Sequence, residues 1–259
     1  MHTAEIFFRY LSDDVRIADA ADAVGCLLVT LERNGQIVPD TTRPDVEEPE
    51  GYRVFALIPE ARSLSRSRYN DSVRQALVKV RECGLAPPKV RVLGRTPGAD
   101  PVCRCKPSPS MILHTNFLTC ELPLVCGGCG GRVPFSRFEP TSDWGTYEDI
   151  IRWMYQYRSF DSIWIASGAG ERLAYRQLSR HDSEVSKEGR ELCRGIGRGT
   201  GRPVYYYLMR YYGRSVAAER RRRCPVCGGA WLLKERMLER FDFRCRRCRL
   251  VSNVAFEVV

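Results

Sequence analysis

The sequence predicts an α+β protein in four parts: an N-terminal β-α-β-α-β layer domain, a cysteine-bearing zinc hairpin, a helical segment and a C-terminal zinc ribbon. Three observations carry this prediction. Strand-like and helix-like apolar patterns alternate through the first hundred residues, eight of the twelve cysteines fall in CxC or CxxC pairs, and Pro- or Gly-rich stretches punctuate the chain at 95–100, near 140 and at 195–201. With 259 residues, 44% of them hydrophobic, the chain is long and apolar enough to build cores. The expected boundaries are 1–98, 99–140, 141–201 and 202–259.

In the first part, residues 4–10 (AEIFFRY) read as a strand and residues 13–33 as a helix, with apolar spacing through Val15, Ile17, Ala18, Ala21, Val24, Leu28 and Leu31. Asn34-Gly35 stops that helix. Residues 40–51, rich in prolines and acids, read as a loop, and residues 52–59 (YRVFALIP) as the second strand. Residues 70–83 form a second helix, with Asn70 as N-cap and Gly84 as stop, and residues 89–93 (KVRVL) the third strand.

Past the break at 95–100 comes Cys103-Arg104-Cys105, a strand-like run at 111–119 (MILHTNFLT), then Cys126-Gly-Gly-Cys129. Helical patterns follow at 146–157, where Ile150, Trp153, Met154 and Tyr157 share a face, at 172–180 and at 183–196. Gly195, Gly197, Gly199 and Gly201 end that region; residues 203–212 (PVYYYLMRYY) read as an aromatic strand. The last part contains two CxxC pairs with 17 residues between them, Cys224/Cys227 and Cys245/Cys248. Trp231 to Leu233 and Arg240 to Phe243 read as a hairpin between the pairs.

Two CxxC turns at this spacing bring four thiolates to one zinc as a tetrahedron, and four thiolates leave no open position for catalysis. Gly228-Gly229 supplies the backbone freedom of the first turn. Redox dithiols are the rival reading, but a redox pair needs no second pair at ribbon distance. Cys103, Cys105, Cys126 and Cys129 can close a second zinc site across 20 intervening residues. In rival assignments Cys120 or His114 replaces one ligand there, or Cys126 and Cys129 stand alone. Cys26, Cys83, Cys120 and Cys193 fit as small buried hydrophobes.

The formal charge of +10 is uneven: residues 202–259 carry 14 Lys and Arg against 5 Asp and Glu. Arg220, Arg221, Arg222, Arg223, Arg244, Arg246, Arg247 and Arg249 gather around the ribbon cysteines, near Tyr205, Tyr206, Tyr207, Tyr211, Tyr212 and Trp231. Arginines among aromatics suit phosphates and stacked bases. The competing reading packs the tyrosines in a core and leaves the arginines solvated; only 5 of the 41 basic residues are Lys, a bias a GC-rich genome would also produce.

The stretches CGGCGGRVPF (126–135), IWIASGAGE (163–171), TGRPVYYYL (200–208), CPVCGGAW (224–231) and FRCRRCRLVSN (243–253) resemble a family of uncharacterised bacterial proteins described as zinc-ribbon-containing candidate nucleic-acid binders. The resemblance covers residues 100–259 well and the N-terminal part only by general pattern. It implies that both cysteine units belong to one architecture.

Enzyme classes fit poorly. His2, His114 and His181 are the only histidines, and the deaminase arrangement is absent. GRGTGRP (197–203) lacks the Lys-Ser/Thr ending of a P-loop, and the acids Asp143, Glu148 and Asp149 suit a helix start. No basic leader precedes a long apolar run and the cysteines are bunched for metal, so the expectation is a cytoplasmic chain with no membrane partner and no small-molecule cofactor. The expected function is non-enzymatic binding of RNA or single-stranded DNA. The alternative is an immunity protein or antitoxin that binds a protein partner, motivated by Trp144, Trp153, Tyr155, Tyr157 and Trp164.

Overall fold

In a computed structural model of the chain, residues 1–12, 14–42 and 46–258 are described. They form two compact units, residues 1–102 with 134–148, and residues 103–133 with 149–259.

The first unit contains β1 (His2–Arg9), α1 (Ile17–Arg33), β2 (Val46–Glu48), β3 (Gly51–Ile58), α2 (Asp71–Glu82) and β4 (Lys89–Arg95). Its strands are ordered β2-β3-β1-β4 and all pair antiparallel, the split β-α-β-β-α-β topology. Ala4, Ile6 and Phe8 of β1 and Tyr52, Val54, Ala56 and Ile58 of β3 point to one face. There they meet Leu27, Leu28 and Leu31 of α1 and Val73 and Val80 of α2 in one apolar core. Asn70 caps α2 as expected, its side chain accepting the Val73 N–H at 3.0 Å.

Strand β2 lies inside the expected loop 40–51, of which 43–45 fall outside the described residues. Its three residues, Val46, Glu47 and Glu48, are exposed or half-buried, so no apolar alternation announces it. Helix α1 begins at Ile17, and Asp13 too lies outside the described residues. The buried stripe is Ala20, Ala23, Val24, Leu27, Leu28 and Leu31, while Ile17 is exposed. Cys26 therefore falls on the outer face, a correction to its reading as a buried hydrophobe. Residues 134–148 fold with this unit: Phe135 stacks on Tyr147 at 5.0 Å, and the Tyr147 N–H donates to the Arg33 carbonyl.

The second unit contains β5 (Met111–Leu113), β6 (Leu124–Cys126), α3 (Glu148–Ala166), α4 (Glu171–Ser179), α5 (Glu184–Thr200), β7 (Val204–Tyr207), β8 (Tyr212–Gly213), α6 (Val216–Arg220), β9 (Leu232–Met237), β10 (Phe241–Cys245), β11 (Leu250–Ser252) and β12 (Glu257–Val258). Six strands make one sheet in the order β6-β5-β7-β11-β10-β9, and β12 pairs with β8 alone. β7 runs parallel between β5 and β11, so it joins the cysteine hairpin to the ribbon. That shared strand is why the three parts expected at 99–140, 141–201 and 202–259 condense into one unit. α5 approaches β7 through Gly189, where a Cβ would stand 2.3 Å from the Tyr206 ring.

The expected strand at 111–119 stops at Leu113. The polar groups beyond it are claimed by other elements: Arg158 Nε donates to Thr115 Oγ1 at 3.0 Å and the Phe117 N–H to Asp161 Oδ2 at 2.7 Å. Arg132 pairs with Glu121 at 2.5 Å, both buried. The expected strand at 203–212 breaks into β7 and the start of β8; Tyr211 and Tyr212 join a ring cluster with Trp164 and Tyr175. α5 continues through three glycines and ends at Gly201, which is left-handed at φ +64. α6, capped by Ser215, has no counterpart in the sequence reading. Among the described residues no helix is long and apolar enough to cross a membrane.

Candidate metal centres

The structure gathers the eight paired cysteines into two groups in the second unit, Cys103/Cys105/Cys126/Cys129 and Cys224/Cys227/Cys245/Cys248. Within each group the four sulfurs lie within 4.8 Å of one another. Bonds of about 2.3 Å to a tetrahedral zinc set sulfurs about 3.8 Å apart. Cys227 and Cys245 are separated by 3.7 Å, so the donor set has the size and chemistry for such an ion.

Three turns present these thiols in the same way. Gly130 N–H donates to the Cys126 carbonyl and Cys126 N–H to the Gly131 carbonyl; Gly228 with Cys224, and Cys224 with Gly229, repeat both bonds at 2.8–2.9 Å. In the third turn Cys245 pairs with Leu250, the same offset. Inward N–H groups meet the sulfurs, Gly128 to Cys126 Sγ at 3.4 Å and Cys248 to Cys245 Sγ at 3.3 Å. Each turn closes on a left-handed residue just after its last cysteine: Gly130 (φ +72), Gly228 (φ +66) and Arg249 (φ +54). The CxC half is anchored by Cys103 N–H donating to the Arg132 carbonyl and by Ser108 Oγ, 3.4 Å from Cys103 Sγ.

Burial opposes ionisation of Cys129, but the N–H groups of Gly131 and Arg104 outweigh it and bring the thiol down to about 6. The Gly229 N–H chiefly brings Cys227 down to about 7. Their partners hold protons instead: Cys105 is pushed up to about 12 by sharing its proton with the Cys129 and Cys126 sulfurs, and burial raises Cys224. Each centre thus offers an anchoring thiolate near neutrality, and a cation must displace the remaining protons.

The rival ligands stay out of both groups. Cys120 is exposed on its loop, a second correction, while His114 lies edge-on to Tyr207 at 4.7 Å and near Phe241 at 6.1 Å. The two cysteine units also meet, since a Cβ on Gly127 would stand 2.9 Å from Met237 Cε at the end of β9. Cys193 is buried as expected, and Cys83 is half-buried.

Of the arginines singled out by sequence, Arg220, Arg221, Arg223, Arg246, Arg247 and Arg249 are exposed and, among the described residues, make no ion pair. Arg244 is half-buried on β10. Arg222 turns inward: its guanidinium lies 4.5 Å over the Phe243 ring and 5.2 Å over Trp231, pairs with buried Glu219 at 3.1 Å and donates to the Asn253 carbonyl at 2.8 Å. Tyr205, Tyr206, Tyr207 and Trp231 are all buried, so stacking of bases on them is excluded by the packing. Two basic groups that the sequence reading passed over, Arg190 and Arg194, stand on α5 and share a cavity with Arg247 and Arg249. Their spacing of four residues on one helix face was the available signal.

Residues 105–209 match a domain of unknown function (DUF2310); residues 1–94 and 213–258 match two further domains of unknown function (DUF8589 and DUF8594). An uncharacterised protein of Haemophilus influenzae is 29% identical over 259 residues, covering 99% of each chain. A second uncharacterised protein of that organism is 30% identical over 175 residues, 68% of this chain and 86% of the relative. The chain belongs to this family of uncharacterised bacterial proteins. Family similarity thus runs through both cysteine groups, the DUF2310 match from Cys105 onward taking in most of the first and the DUF8594 match all of the second. No solved structure matches the chain.

Proposed function

We propose that this chain is a cytoplasmic zinc protein, without catalysis of its own, that binds RNA or single-stranded DNA through the arginines around its C-terminal centre. The observation that carries the reading is the set of six exposed arginines, from the end of α6 and the turns flanking Cys224 and Cys248, without acidic partners among the described residues. Three other arginines of the same tail are spent on internal pairs, Arg210 and Arg222 with Glu219 and Arg236 with Asp242, while Arg202, Arg214 and Arg240 are exposed but stand away from the cysteine turns in sequence. Cations held in place without counter-charges attract phosphates and release the counterions condensed on them. Zinc is supported by the four-thiolate donor sets and their tetrahedral spacing. Twelve free cysteines support a reducing compartment.

A salt titration of binding to a mixed-sequence single strand tests the reading. If all six arginines meet phosphates, log K falls against log salt with a slope of about −4. Affinity indifferent to salt, or none in dilute buffer, sinks it.

One observation favours the alternative of a protein-binding immunity protein or antitoxin: Trp144 in the first unit is 85% exposed. Trp153 and Tyr157, which also motivated it, are buried in the second unit and unavailable to a partner. Purification from the native host with a stoichiometric protein and no nucleic acid would favour that alternative.

A further inference from the structure

A cavity of about 370 Å³ opens beside the C-terminal centre, between α5 and the last cysteine turn. Arg190 and Arg194 line it from α5 and Arg247 and Arg249 from the turn; none of its lining residues is acidic. The ligand pair Cys227 and Cys248 forms another part of the wall. Arginines beside a thiolate centre have an obvious bland role, the neutralisation of that centre. The charges of the lining decide against this as their whole role: a zinc ion with four thiolates carries two negative charges, the four lining guanidiniums exceed it by two, and Glu191, which meets Arg194 from outside the lining, is a solvent-screened partner.

The existing engagements of these arginines leave them available. Arg194 meets Glu191 in an exposed pair of the kind worth little, and Arg190 donates to the His181 carbonyl at 3.3 Å. Arg249 lies over the Tyr205 ring at 5.6 Å, and Arg247 has no ion pair among the described residues.

Arg249 adds an independent observation. The equivalent position is glycine in the other two turns, and here a side-chain-bearing residue takes the same left-handed backbone at φ +54. That conformation is unfavourable for L-residues and is tolerated where a side chain is needed. The side chain it delivers is one of the four cations of the cavity.

We propose that this cavity is a phosphate site that seats the terminal phosphate of a nucleic-acid strand. The proposal rests on the nucleic-acid reading above and adds the group recognised. An excess of two positive charges matches a terminal phosphate, which carries about −1.5 to −2 at neutral pH, better than the single charge of an internal diester. Planar guanidiniums from two directions suit its three free oxygens.

The test uses the full, metal-loaded chain and two fluorescent 15-mers of one sequence, one ending in a 5′-phosphate and one in a 5′-hydroxyl. The phosphorylated strand should bind about tenfold tighter. R190A/R194A, whose side chains reach the cavity from α5 and belong to neither cysteine turn, should erase the difference while zinc content stays unchanged. R249G should shrink it without loss of fold, and R220A/R221A/R223A should weaken both strands alike. Equal binding of the two strands by the unmodified chain, or a preference that survives R190A/R194A, overturns the proposal and leaves the nucleic-acid reading standing. If neither strand binds but a nucleoside 5′-monophosphate binds the unmodified chain and not R190A/R194A, the phosphate site stands with a free nucleotide as its source, and the nucleic-acid reading falls. If neither strand nor the nucleotide binds, both fall.

Discussion

Arg249 and Arg222 show how the same residue type in one basic cluster takes opposite roles. Arg249 occupies a left-handed position that glycine fills in two equivalent turns. Arg249→Gly should therefore raise stability by about 1 kcal/mol, read as a higher urea midpoint at unchanged slope. An unchanged or lower midpoint would show that the guanidinium's contact with Tyr205 outweighs the backbone strain.

Arg222 is internal because Glu219 sits between it and Arg210, with Trp231 and Phe243 beneath. Burial pushes the Glu219 carboxyl up, but the two arginines outweigh it and hold the group below its ordinary range. A carboxylate depressed in the folded state contributes stability that is fully present above its unfolded value of about 4.3. That contribution is lost as pH falls through the lower folded value. Glu219→Gln should cost about 2 kcal/mol at pH 7 by leaving two half-buried cations without their carboxylate. The gap between the two chains should narrow below pH 4, measured by urea unfolding at each pH; a gap that widens on acidification contradicts this account.

At the scale of the element, the unit of construction is the cysteine turn with its left-handed closing residue, and β7 is the strand that makes two such constructions one. Metal analysis of the unmodified chain should return about two zinc ions. Cys105→Ser and Cys248→Ser should each retain about one, because three thiolates and a hydroxyl hold zinc far more weakly. Since Gly127 packs against Met237, loss of the first centre should also lower the thermal midpoint of the ribbon. A Cys105→Ser chain that melts like the unmodified one would show the centres to be energetically separate.

For the whole molecule, the paired cysteines were legible because a metal turn is a local object: two thiols, a tight backbone and a residue of positive φ within five or six positions. Helix α2 was legible for a similar reason, its cap, apolar stripe and stop all lying within fifteen residues. The strand expected at 111–119 failed because Thr115, Phe117 and Glu121 answer to Arg158, Asp161 and Arg132, which lie 11 to 44 residues away in sequence. The aromatic run misled for the opposite reason, since residues able to stack on bases are equally able to fill a core, and β7, with all four residues buried, has no surface to offer them. By itself the sequence determined the α+β class, the eight thiols that meet in two fours and the concentration of positive charge at one end. Only the tertiary structure decided which arginines face solvent, that α5 supplies half of a cationic cavity, and that three expected parts condense into one unit around a shared sheet. Those outcomes depend on parallel pairing of β7 with strands far from it in sequence, and no local pattern of residues encodes such a pairing.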